Sequence, residues 1–246
     1  MRQSFLFLIA IGCFISAFAQ PSQADVEKYH IRKVVIKKTI DGSVYTDTYW
    51  YDGEGNDSAM LVNNKSSIIK SSFKGGKLIA KSIITDGRQG DSYAYEYAAD
   101  GSYKETHTDG EFGMTSYKWF DAKKRLQKTQ SPDGNTITNN YDAKGNLLSA
   151  SSDGNNGGMK IKRTYFYNAK NSLTKTEQEM DGMKSTSSYS YNTKNQLAKR
   201  TDDDGYTKST TTYEYNDKGL LLKTIRQAKM QNEVQPTETT VYEYYY

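Results

Sequence analysis

The residue types that carry most enzyme chemistry are scarce in this chain. It has two histidines, His30 and His107, and one cysteine, Cys13. Neither histidine has a second one at a metal-ligand spacing, so both read as strand residues on the surface. Oxygen-rich glycine turns occur at Asp52-Gly53-Glu54-Gly55-Asn56-Asp57 and at Asp202-Asp203-Asp204-Gly205, and either has donors that suit calcium. Neither completes a calcium loop with a terminal Glu, and Asp with Gly is also what a tight turn needs. Acids recur at turns throughout, so no carboxylate pair is singled out for glycoside hydrolysis. The run from Gly154 to Gly158 opens no helix and is not a phosphate loop. The expectation is therefore a protein without catalytic residues, metal or cofactor.

Aromatic side chains are the abundant functional material, with 21 Tyr, 8 Phe and 2 Trp among 246 residues. A Tyr ring offers an apolar face to a sugar's C–H surface and a hydroxyl to its polar edge. Trp50 and Trp119 stand one place before an aromatic anchor, so each faces away from the main aromatic stripe. These two, with Tyr165, Tyr189 and Tyr213, are the candidate ligand-binding residues, and a polysaccharide or another surface polymer is the candidate partner.

The elements that must hold these rings are written as a repeat. An aromatic, Asp or Asn, a small residue, Lys, Gly or Asn, any residue, then Leu recurs at Tyr141–Leu147, Tyr167–Leu173, Tyr191–Leu197 and Tyr215–Leu221. Phe120–Leu126 is a looser copy, with Lys124 where Gly or Asn is expected, which predicts a distorted turn. Tyr51, Phe73 and Tyr97 open more degenerate copies, and successive anchors lie 21 to 26 residues apart. In antiphase run Asp-Gly pairs at 41, 86, 109, 133, 153, 181 and 204, and Asn63-Asn64. Asp-Gly suits a type I′ hairpin, and the anchor turn suits a type I turn closed by a left-handed residue and a G1 bulge. Residues between turns alternate, as in Thr211-Thr212-Tyr213-Glu214-Tyr215, so the doublet Tyr213/Tyr215 shares one face.

The phrase resembles the YD repeat of RHS proteins and teneurins, best at Tyr141-Asp142 with Gly145-Asn146-Leu147. With two turns and two strands in each unit, the spacing predicts an all-β antiparallel hairpin array of about eight units, sixteen to eighteen strands in meander order, and the resemblance implies that the sheet curls or spirals. No toxin region or core-end motif follows the repeats, so cargo encapsulation is not carried over.

The first nineteen residues read as a signal peptide: one positive charge, an apolar run from Phe5, and Ala17-Phe18-Ala19 before Gln20. Cys13 lies mid-run, a poor lipoprotein site. The organisation read from sequence is signal peptide 1–19, linker 20–27 and repeat domain 28–246. The net charge of +4 is interspersed, which gives no nucleic-acid footprint. No later segment is apolar and long enough to span a bilayer as a helix. The expected function is a secreted or envelope-associated binding or scaffolding module. An uncharacterised enzyme is one alternative. The other is an outer-membrane-associated β-barrel: a C-terminal aromatic such as Tyr246 suits it, whereas polar strands such as 184–188 and 207–212 do not supply a lipid-facing surface.

Overall fold

The structure, a computed structural model, describes residues 21–62, 65–154, 158–231 and 233–246. The signal-peptide and Cys13 readings, and the Asn63-Asn64 turn, lie outside the described residues. A short helix, α1 (Gln23–Tyr29), precedes β1 (Lys33–Ile40), β2 (Ser43–Tyr51), β3 (Asp57–Val62), β4 (Lys65–Lys74) and β5 (Lys77–Thr85). Then come β6 (Arg88–Tyr97), β7 (Tyr103–Thr108), β8 (Thr115–Phe120), β9 (Leu126–Gln130), β10 (Thr136–Tyr141) and β11 (Leu147–Asp153). The chain continues through β12 (Lys160–Tyr167), β13 (Leu173–Met180), β14 (Met183–Tyr191) and β15 (Leu197–Asp203). It ends in β16 (Thr207–Tyr215), β17 (Leu221–Met230), the two-residue β18 (Glu233–Val234) and β19 (Glu238–Tyr245).

Each strand pairs antiparallel with its sequence neighbour from β1 to β17, β17 pairs with β19, and β19 pairs with β1. The two-residue β18 hangs on the end of β17, so the other eighteen described strands form a closed barrel. The seam is fully zipped, from Lys33 opposite Tyr245 to Ile40 opposite Glu238. The expectation of an all-β antiparallel meander holds; the open or spiralling sheet is corrected to a barrel. The physical reason lies in the ends. Hairpin chemistry is the same in a spiral and in a barrel, and only a first and last strand of matching register can close the ring.

The repeat phrase works as turn chemistry. The fifth residue of the phrase is left-handed in seven copies: Gly55, Gly101, Lys124, Gly145, Asn171, Asn195 and Gly219. A register shift just before the anchor accompanies six of them, all but the copy at Tyr97. The Asp or Asn carboxyl or amide oxygen brackets the turn: Asp121 Oδ1 accepts from the N–H of Lys123 and of Arg125, both at 2.9 Å. Lys124 keeps this geometry at φ 61°. The distortion expected there does not occur, because the Asp121 bracket holds the turn. Of the antiphase pairs, Asp41-Gly42, Asp86-Gly87 and Asp181-Gly182 have φ > 0 at both residues, as type I′ requires. Asp133-Gly134 instead repeats the anchor-turn hydrogen bonds.

The hydrophobic cluster that contains the largest fully buried side chains lies at one end. Val26, Ile31 and Val34 are the largest fully buried side chains, in a cluster with Ile36, Tyr51, Leu220 and Tyr242. Helix α1 thus falls largely within the stretch read as a linker. Ser22 caps its start by accepting from Asp25 N–H at 3.1 Å. His30, expected on a strand, is the left-handed cap at its end. The helix reaches from the β2–β3 turn, where Gly55 leaves no room for a Cβ beside Glu27, to the β16–β17 turn, where Tyr29 donates to the Lys218 carbonyl at 2.9 Å. It lies across the concave side of the wall, on the face that carries the tyrosines.

Candidate functional site

That face lines the lumen, and along most strands it is the better covered of the two. About eight strands make a barrel that side chains just fill, whereas sixteen to eighteen leave an aqueous channel. Eighteen strands here enclose a lumen, and α1 sits at one end of it.

The two tyrosines of each doublet do different work. The anchor reaches across its own hairpin to the preceding repeat. Tyr141 donates its hydroxyl to the Leu126 carbonyl (2.7 Å), Tyr167 to Leu147 (3.0 Å), Tyr191 to Leu173 (2.7 Å), Tyr215 to Leu197 (3.0 Å) and Tyr244 to Leu221 (2.7 Å). Each acceptor is the Leu that closes the preceding anchor turn, where the bulge interrupts the ladder. The phenols therefore tie successive repeats together. Tyr51 is the exception: its hydroxyl is buried without a hydrogen-bond partner among the described residues. It stands next to the seam strand β1, which has no anchor turn before it to offer such a carbonyl.

The first tyrosine of three of these doublets lies one place further along the same face. Tyr165, Tyr189 and Tyr213 occupy the same repeat position on β12, β14 and β16, and form a row on the lumen wall. Between them stands Arg200, whose guanidinium lies 5.8 Å from the Tyr189 ring and bonds Asp202 at 2.7 Å. Ser187 donates to the same carboxylate at 2.6 Å. Burial pushes the Tyr213 hydroxyl up to about 12, with Asp202 adding to the rise, so the phenol stays a neutral donor through the physiological range. Around the lumen further charges are paired across strands: Lys118 with Glu105 at 2.8 Å, and Glu238 with Arg226 at 2.8 Å and Lys38 at 3.0 Å. The lining is aromatic, hydrogen-bonding and charge-paired.

His107 belongs to this lining. Its ring stacks on Tyr93 with centroids 4.6 Å apart. Its Nε2 lies 3.3 Å from Asp91 Oδ2 yet off the hydrogen-bonding direction, and its Nδ1 is 3.5 Å from Ser116 Oγ. The acidic turns are also accounted for locally. Asp52 Oδ1 accepts from Glu54 and Asn56 N–H, and Asp204 Oδ1 from Tyr206 and Thr207 N–H. Asp202 and Asp203 point to opposite faces of the wall.

The five candidate residues do not form one site. Tyr165, Tyr189 and Tyr213 face the lumen, whereas Trp50 and Trp119 face outward. The two Trp are also apart, on β2 and β8. Trp119 lies beside Tyr117, with the Lys128 ammonium 4.8 Å from its ring, while Trp50 is 36% exposed. The outer wall from β12 to β17 is polar, with Lys162, Lys184, Lys199 and Lys208 exposed beside Ser188 and Thr212. A shallow groove there runs between Lys184 and Lys208 over Thr186, Ser188 and Thr201. Alternation separates the two faces of the stripe without marking which becomes the inside of a tube, and the signal of the Tyr-to-Leu struts is the strict phase of anchor and Leu.

The fold has a counterpart among solved structures. A porin-like protein from Bacteroides uniformis superposes with a TM-score of 0.53 at 17% identity, over 87% of this chain and 98% of that one. A porin-like protein from Bacteroides vulgatus aligns over 87% of this chain and 99% of that one, at 8% identity and a TM-score of 0.32. A family model described only as an uncharacterised protein matches residues 113–202. No curated protein matches. The resemblance to YD and RHS repeats is corrected accordingly: the matching family is another one, and the chain has a porin-like closed barrel fold rather than a spiral sheet.

Proposed function

We propose that this chain is an outer-membrane-associated β-barrel protein of the cell envelope, without catalytic activity. The observation that carries the reading is the closure of eighteen antiparallel strands around a polar, tyrosine-lined lumen. The association is peripheral. A barrel that crosses a bilayer needs a continuous outward apolar band about 25 Å tall, and the Lys, Ser and Thr of β12 to β17 interrupt any such band. The lumen row of Tyr165, Tyr189 and Tyr213, with Arg200 between, suits a hydrophilic chain such as a polysaccharide.

Fractionation of cells expressing the full chain tests this. The protein is expected in the outer-membrane pellet, released by high salt with alkaline carbonate and not by salt alone. Recovery in the cytoplasm or wholly in the medium contradicts the reading, and resistance to carbonate contradicts its peripheral form.

A further inference from the structure

The outer wall is not uniform around the ring. On its basic side, β12 to β17, the outward positions are mostly Lys, Thr, Ser and Glu, with Phe166, Asp203, Ile225 and Gln227 among them. From β1 to β5 the outward positions change character. Trp50, Ala59, Ile68 and Ile84 stand directly opposite one another across four successive strands and form an apolar row. Leu61 lies beside that row, and Val44 continues the sector along β2. Several of these side chains are open to solvent: Val44 is 63% exposed, Ile68 55% and Trp50 36%. The sector extends onto β19 through Val241 and Tyr245, themselves 37% and 43% exposed.

The charges of the same sector are mostly of one sign. The outward positions of β1 to β5 hold Lys33, Lys37, Lys70 and Lys74 and, among the described residues, no carboxylate. Glu243 on β19 pairs with Lys37, while Lys33 rests 4.0 Å from the Tyr245 ring centroid. Carboxylates return to the outer wall further round, at Glu96, Glu177, Glu179, Asp203 and Glu214. An apolar patch with an exposed Trp, bordered by several lysines and the one paired Glu243, has the chemistry of an interfacial membrane contact. Aliphatic and indole groups enter the headgroup boundary, and ammonium groups meet anionic headgroups.

We propose that the β1–β5 wall is the membrane-docking face of the barrel and that its partner is an anionic lipid surface. The charge complementarity of a lysine-rich border selects this occupant over a second copy of the chain, whose own patch would bring like charges together. The proposal rests on the peripheral reading above and gives it a contact surface. The barrel lies with this sector against lipid, and its basic side and lumen stay in water.

Flotation with vesicles tests it, using phosphatidylcholine alone and phosphatidylcholine with about one third phosphatidylglycerol. The chain from residue 20 is expected to float with the anionic vesicles and hardly with the neutral ones. Ile68→Glu and Lys70→Glu should each reduce binding about tenfold, with unchanged thermal unfolding. Both side chains are on the outer face, so folding survives. In Trp119→Phe the remaining indole, Trp50, should shift to the blue with vesicles, while in Trp50→Phe the remaining Trp119 should not. Absence of flotation, flotation indifferent to both charge variants, or self-association abolished by Ile68→Glu in place of lipid binding would overturn the proposal. Outer-membrane fractionation in cells with no vesicle binding would remove this docking face and leave the envelope reading standing. Vesicle binding by a protein that cells release to the medium would do the reverse.

Discussion

Two tyrosines at the same place in the repeat meet different fates. Tyr191 donates to the Leu173 carbonyl at 2.7 Å, whereas the Tyr51 hydroxyl is buried and unpartnered. Removing a made hydrogen bond costs about 1 kcal/mol, and a buried unsatisfied hydroxyl is itself a cost of about 1–3 kcal/mol. Tyr191→Phe is expected to lower the denaturant midpoint, and Tyr51→Phe to leave it unchanged or raise it. Lys124 gives a second comparison. It is a non-glycine residue at φ 61°, a conformation that costs such residues roughly 1–2 kcal/mol. Lys124→Gly should therefore stabilise the barrel by about 1 kcal/mol in urea unfolding. The turn acids set the acid limit. The side-chain hydrogen bond from Asn146 holds the Asp142 carboxyl below its usual range. A folded-state value below the unfolded one gives stability that is full above the unfolded carboxylate range, ~3.9, and is lost as pH falls through the folded value. Asn168, Asn192 and Asn216 make the same backbone contacts uncharged. Asp142→Asn should flatten the decline of melting temperature below about pH 4, and an unchanged decline would show that this turn is not part of the acid response.

At the scale of elements, much was legible in the sequence. Position five of the phrase announced a left-handed residue, and Gly145, Asn171, Asn195 and Gly219 are left-handed. Alternation put Tyr213 and Tyr215 on one face, away from Glu214. The meander order followed from turn spacing alone. What stayed hidden was carried by non-repeating residues. Helix α1 is only seven residues long, and its signal was a Ser22 cap in a stretch that otherwise reads as a tail. The seam strands β1 and β19 look like ordinary strands, and nothing local says that they pair with each other. Their partnership has an energetic consequence. In an open array, removing a terminal strand sacrifices one nearest-neighbour interface. In a ring it exposes two edges and withdraws Tyr242 from the buried cluster and Tyr244 from the side chains packed against it. Truncation before Glu238 is therefore expected to abolish a single cooperative unfolding transition and cause aggregation. A truncated chain that unfolds cooperatively, with a slightly lower midpoint, would show that the sheet does not depend on the seam.

As a whole molecule, the barrel is a tube with distinct surfaces. The lumen is aromatic and charge-paired, the outer sector from β1 to β5 is apolar with lysines, and the outer wall from β12 to β17 is largely hydrophilic. The candidate residues read from sequence were distributed over these surfaces, because a two-residue alternation cannot say which face becomes concave. Everything proposed for the lumen and the wall presupposes that the ring is closed between β1 and β19. Thr39 and Thr239 are direct partners across that seam on the outer wall. Antiparallel partners of this kind have Cα atoms roughly 4.5–5.5 Å apart, within the span of a disulfide. The measurement is the oxidation of a Thr39→Cys/Thr239→Cys double variant of the chain from residue 20, which lacks other cysteines. A closed barrel is expected to form the intramolecular bond in high yield, seen as a faster-migrating monomer on a non-reducing gel and as a higher melting temperature. Free thiols that persist under oxidant, or disulfide-linked dimers alone, would contradict closure.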